Sequence, residues 1–138
     1  FPQRTKASLA ILFALLAAGL PLPARAESAT VASITDGDTF RTSTGERIRI
    51  AGIDAPETQQ GQAKCSSEIR QGRAATAALS SLIEGETVTL DRVGTSYNRT
   101  VAHVRLGALD IGREMIRLGA ALAWPRGEPK PAWCDLTR

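Results

Sequence analysis

Between Thr30 and Ile53 the chain alternates apolar and polar positions with the two-residue period of a half-buried strand, Ile48 and Ile50 interleaved with Arg47 and Arg49. Turn signals at Asp36-Gly37 and Thr44-Gly45 divide this stretch into three strands of a meander. After a polar loop, Ala75, Ala78, Leu79, Leu82 and Ile83 recur at helical spacing, and Gly85 stops the run. Val88 and Leu90 then alternate with Thr87 and Thr89, and Ala102, Val104 and Leu106 with Val101, His103 and Arg105, which predicts strands four and five. A second helix is expected from an Asp110 cap through Ile111, Met115 and Leu118 to Gly119, ahead of an apolar segment ending at Trp124. Five strands with inserted helices suit a β-rich α+β class, a five-stranded OB-fold barrel.

The first residues follow a different pattern. Arg4 and Lys6 precede an apolar run from Leu9 to Leu20, followed by Pro21, Pro23 and the small-residue pattern Ala24-Arg25-Ala26. This predicts a secretory signal peptide over residues 1–26 and a single domain over 27–138. The run has 12 residues, whereas a spanning helix needs roughly 20. The expectation is an exported, monomeric protein, periplasmic or secreted, with no membrane association after cleavage. Three of the 17 basic residues and none of the 14 acidic ones lie in the signal, so the remaining domain balances to zero. A nucleic-acid binder of this kind relies on local charge and not on a global positive field.

Both cysteines, Cys65 and Cys134, lie in the domain. An oxidising compartment favours their pairing, the alternative being two separate thiols. The lack of a C-x-x-C and the presence of one histidine speak against redox or zinc chemistry. A Cys65–Cys134 bridge would tie the loop after Glu57 to the proline-rich tail beyond Trp124.

Chemistry concentrates between Thr35 and Glu57, where Asp36-Gly37-Asp38-Thr39 is followed by Arg47-Ile48-Arg49 and by Gly52-Ile53-Asp54-Ala55-Pro56-Glu57. Tyr97-Asn98-Arg99-Thr100 comes later. Carboxylates of this kind hold a hard cation, and arginine forks hold phosphate. A phosphodiester repels nucleophiles, so its hydrolysis calls for a cation, donors for developing charge and a base for water. Each residue also has an ordinary explanation. Asp-Gly-Asp is a common turn, Glu57 could be a solvated loop acid, Arg99 a surface charge at a strand start, and Tyr97 a half-buried loop aromatic. Arg49 could match Arg47, which shares its face by strand parity. Trp124 reads as packing at a rim, and His103 as an outer-face residue without a catalytic role.

Taken together and in this order, the motifs resemble the staphylococcal-nuclease-like (thermonuclease) family over roughly Val31 to Trp124. The resemblance implies calcium held by the carboxylates of Asp38 and Asp54 and the carbonyl of Ala55, with Asp36 close by. It implies Glu57 acting on the attacking water, Arg49 and Arg99 gripping the scissile phosphate, and Tyr97 contacting the nucleotide. The expected activity is calcium-dependent hydrolysis of DNA and RNA, single-stranded or locally open, with low sequence specificity. Asn98 stands where the family usually has glycine, and asparagine tolerates a left-handed backbone. Two rival readings are a non-catalytic OB-fold module that binds nucleic acid and retains a calcium site, and an exported domain whose acidic loops bind calcium only for stability.

Overall fold

The computed structural model describes residues 19–20 and 27–136; apart from Gly19 and Leu20, the expected signal peptide lies outside the described residues. Among those residues no helix is long and apolar enough to cross a membrane.

Strand β1 (Glu27–Asp36) is followed by β2 (Thr39–Thr42), β3 (Arg47–Ile50) and the two-residue β4 (Ile53–Asp54). Helix α1 (Ser66–Ile83) leads into the hairpin of β5 (Thr87–Ser96) and β6 (Arg99–Leu106). Then come β7 (Leu109–Asp110), α2 (Ile111–Arg117), β8 (Leu122–Ala123) and a single 3₁₀ turn at Trp133–Asp135. The sheet runs β3-β2-β1-β5-β6, and β3 also pairs in parallel with β6, closing a five-stranded barrel. Closure depends on β1 serving two neighbours. Its first four residues pair with β5, and from Val31 onward it pairs with β2 through two register shifts that bend it around the barrel corner.

The alternation read from the sequence sets which side chains face inward. Val31, Phe40, Ile48, Ile50, Val88, Leu90, Ala102 and Val104 fill the barrel. Helix α1 covers it with Ala75, Leu79 and Ile83, and α2 with Ile111 and Met115. Gly85 is left-handed past the end of α1, and the carboxylate of Asp110 accepts from the Arg113 amide to cap α2, both as expected.

Two features lay beyond periodicity. Helix α1 starts at Ser66, well before the apolar run that announced it. Strand β4 pairs with β8, Asp54 opposite Leu122, which brings the chain after Trp124 alongside Asp54. That tail is anchored at its far end. Trp133 is buried, and Cys134 is disulfide-bonded to Cys65, the residue that opens α1. Burying an aromatic side chain of this size contributes on the order of 1.5–3 kcal/mol. Because the bridge joins residues 69 apart, replacing both cysteines by serine is expected to lower the unfolding free energy by about 2–4 kcal/mol. Urea denaturation measures this, and an unchanged stability would show that the bridge adds nothing to the tail's other contacts.

Candidate active site

The β1–β2 turn delivers two of the acids. A Cβ at Gly37 would lie 2.6 Å from that of Ala75 and 2.7 Å from that of Ala55, so only glycine lets the turn nest between α1 and the loop after β4. The carboxylate of Asp36 accepts from the amide of Asp38 at 3.0 Å, which fixes the turn. Asp38 points inward. One of its oxygens accepts from the Thr39 hydroxyl at 2.9 Å and the other from the Ala55 amide at 3.0 Å.

Arg49 projects from the outer face of β3, as strand parity requires, yet it is almost fully buried. Its Nη1 donates to the carbonyls of Ile50 and Ile53 at 3.0 Å each. Its Nη2 stands 3.5 Å from Asp38 and 3.7 Å from Asp54. The guanidinium thus braces an acid from the β1–β2 turn against one from β4. Arg47 lines the same cleft but is only half-buried, so burial and partners distinguish two arginines that strand parity left alike.

Glu57 is positioned from α1. The buried carboxylate of Glu68 lies 3.4 Å from the amides of both Glu57 and Lys64, and holds the two ends of the intervening loop. Helix and loop approach closely at Gly72, where a Cβ would lie 2.6 Å from the Glu57 carbonyl oxygen and 2.8 Å from that of Pro56. Neither backbone oxygen can yield easily, so Gly72 is a condition of this placement.

The β5–β6 hairpin supplies Tyr97 and Arg99. Ser96 pairs with Arg99 across a two-residue turn in which Tyr97 (φ 48°) and Asn98 (φ 60°) are both left-handed. Such a turn matches the twist of the strands it joins. Asn98 takes this conformation easily, but a tyrosine there is uncommon. The consequence is a phenol ring 89% exposed at the hairpin tip, and not the half-buried aromatic that the sequence suggests. Arg99 donates to the Ser96 carbonyl at 3.3 Å and reaches the Thr39 hydroxyl at 3.5 Å, neither of them a charged group.

Asp38, Arg49, Asp54, Glu57, Tyr97 and Arg99 line one cleft of about 580 Å³. Ala55 is tied to it through its amide, by way of Asp38. Two tail residues that sequence reasoning passed over complete the site. The Lys130 ammonium lies 2.6 Å from one oxygen of Asp54 and 3.7 Å from Glu57, while the Trp133 indole donates to the other oxygen of Asp54 at 2.9 Å. Trp124 sits at the rim, with Arg49 and Lys130 each 5.4 Å from its ring centroid.

Crowding of acids changes their proton affinity. Burial, the neighbouring charge of Asp38 and a hydrogen bond shared with it push the carboxyl of Asp36 up to about 7. Burial also raises Glu57; Lys130 opposes this, and Asp38, Asp54 and Glu68 add to it. As the side chains stand, no group of three or more His, Cys, Asp or Glu among the described residues is disposed to hold a metal ion. The donors nevertheless suit a hard cation in kind, being carboxylate oxygens, and a protein-borne ammonium already stands between Asp54 and Glu57.

A closed five-stranded barrel with two helices is an OB-fold, here with acids and arginines gathered on one cleft. The sequence pattern of the staphylococcal nuclease homologue family matches residues 47–132, and the chain belongs to that family. No curated protein matches it. The family match begins at β3, so Asp36 and Asp38 join the site through the geometry of the β1–β2 turn.

The Asp36 shift has a pH signature. In metal-free buffer the folded chain keeps a proton that the unfolded chain releases near 3.8, so stability falls as pH rises from about 4 to about 7. The raised Glu57 acts in the same direction. Thermal melts with chelator present are expected to show this decline in the wild type and a flatter profile in Asp36→Asn. Parallel profiles would contradict the assignment.

Proposed function

We propose that this chain is an exported calcium-dependent nuclease that hydrolyses phosphodiester bonds of DNA and RNA with low sequence specificity, acting as a monomer on single-stranded or locally open substrate. The observation that carries this reading is the convergence of Asp38, Asp54 and Glu57 with Arg49 and Arg99 on one cleft, drawn from three separate strands, a turn and a loop. Membership of a nuclease-type family supports it, and the Cys65–Cys134 bridge agrees with an oxidising compartment.

Asp38 and Asp54, with the carbonyl of Ala55, would hold the calcium ion. Bound there, calcium supplies a Lewis acid and a template for a phosphoryl oxygen. The remaining work falls to the chain's own groups. Glu57 is half-buried and raised above the ordinary carboxylate range, which suits it to orient an attacking water and take its proton. Arg99, engaged only with neutral oxygens, has donors to turn toward a phosphate as charge builds on it. Arg49 is largely committed to two backbone carbonyls and the two acids, so its contribution is to hold the acids in place and to offer its remaining donors at the cleft edge. Tyr97, exposed at the hairpin tip, is placed to contact a nucleotide.

Single-stranded DNA incubated with the purified protein should be degraded in calcium and spared in excess chelator. Arg99→Ala is expected to lower turnover by roughly 100- to 1000-fold with the fold intact, the scale of one lost transition-state donor, and Glu57→Gln should be severely impaired. Binding that survives chelation without turnover would favour a non-catalytic module. Near-normal turnover in both variants would refute the assigned roles.

A further inference from the structure

The tail beyond Trp124 presents a cation of its own to the acid cluster. We propose that Lys130 is a tethered competitor of the divalent cation: its ammonium holds Asp54 and Glu57 while no cation is bound and withdraws when one binds. This rests on the calcium reading given above.

Three observations carry it. First, both oxygens of Asp54 are engaged, one by Lys130 at 2.6 Å and the other by Trp133 at 2.9 Å, so a cation seeking Asp54 meets a protein donor on either side. Second, the two donors differ in freedom. Trp133 is buried and fixed beside the disulfide, whereas the Lys130 side chain is 46% exposed and can swing into water without opening the core. Third, the tail that carries Lys130 is held at both ends. The Trp124 indole donates to the Glu128 carbonyl at 2.8 Å, Pro129 and Pro131 flank the lysine, and Trp133 and Cys134 follow. A short, stiff tether keeps the ammonium at high effective concentration beside Asp54.

An ammonium carries one charge where a divalent ion carries two, so the ion wins the contest for clustered carboxylates once its concentration suffices. Lys130 therefore sets how much calcium is needed. It also keeps Asp54 compensated in the empty site, where an unpaired buried carboxylate would be costly.

Calcium binding measured by titration calorimetry on the full domain tests this without reference to activity. Lys130→Gln is expected to bind calcium about tenfold more tightly than the wild type, the scale of one charge-assisted hydrogen bond to a carboxylate. Lys130→Arg, which keeps the charge, should lie nearer the wild type. Tryptophan fluorescence gives a second readout: calcium should shift the wild-type emission as the ammonium leaves the Trp124 ring, and shift that of Lys130→Gln less. Equal affinities in wild type and Lys130→Gln would overturn the competition and leave the calcium reading standing. No calcium binding by either folded protein would overturn both.

Discussion

Two carboxylates, Asp38 and Asp54, lie almost completely out of water within reach of the same guanidinium, and much of the structure is arranged around that fact. A buried carboxylate without a partner is expensive, and two facing each other are more so. Arg49 answers part of that demand from β3. The Ala55 amide, the Thr39 hydroxyl, the Trp133 indole and Lys130 answer the rest. Each partner comes from a different element, so the bend in β1, the β3–β6 closure, the β4–β8 pair and the anchored tail are all needed to bring them together. That cost is the physical ground for the cation site proposed above.

Division of labour between the arginines follows from the same constraint. Strand parity makes Arg47 and Arg49 equivalent, and the motif makes Arg49 and Arg99 equivalent. Burial separates all three. Arg49 is spent largely on protein oxygens, Arg99 meets only neutral ones, and Arg47 remains half-buried at the cleft edge. In the proposed nuclease, phosphate recognition would accordingly fall mainly to Arg99 on the β5–β6 hairpin, whose tip carries the exposed Tyr97 on a left-handed backbone.

The barrel was legible because alternation is a direct imprint of burial. Ile48 and Ile50, Val88 and Leu90, and Ala102 and Val104 all face inward as their period predicts. The acids and arginines were legible because three motifs recur in a recognisable order. Other parts left no such imprint. Strands β4 and β8 have two residues each, too few for any period. The first turns of α1 are polar apart from Ile69, and Gly72 looks like a weakness in a helix until the Pro56 and Glu57 carbonyls are seen against it. Lys130 sits in a proline-rich stretch that reads as linker. The β4–β8 pair, the bridge from Cys134 to Cys65 and the burial of Trp133 together bring it back to Asp54.

Charge compensation of Asp38 and Asp54 can be tested without substrate. The most direct measurement is the unfolding free energy of Arg49→Met, determined by denaturant titration with calcium and with chelator. Breaking a buried pair of this kind is expected to cost about 3–5 kcal/mol in chelator, and calcium should recover a large part of that loss. If Arg49→Met is as stable as the wild type in chelator, or if calcium leaves its stability unchanged, the two acids do not form a cation-dependent site.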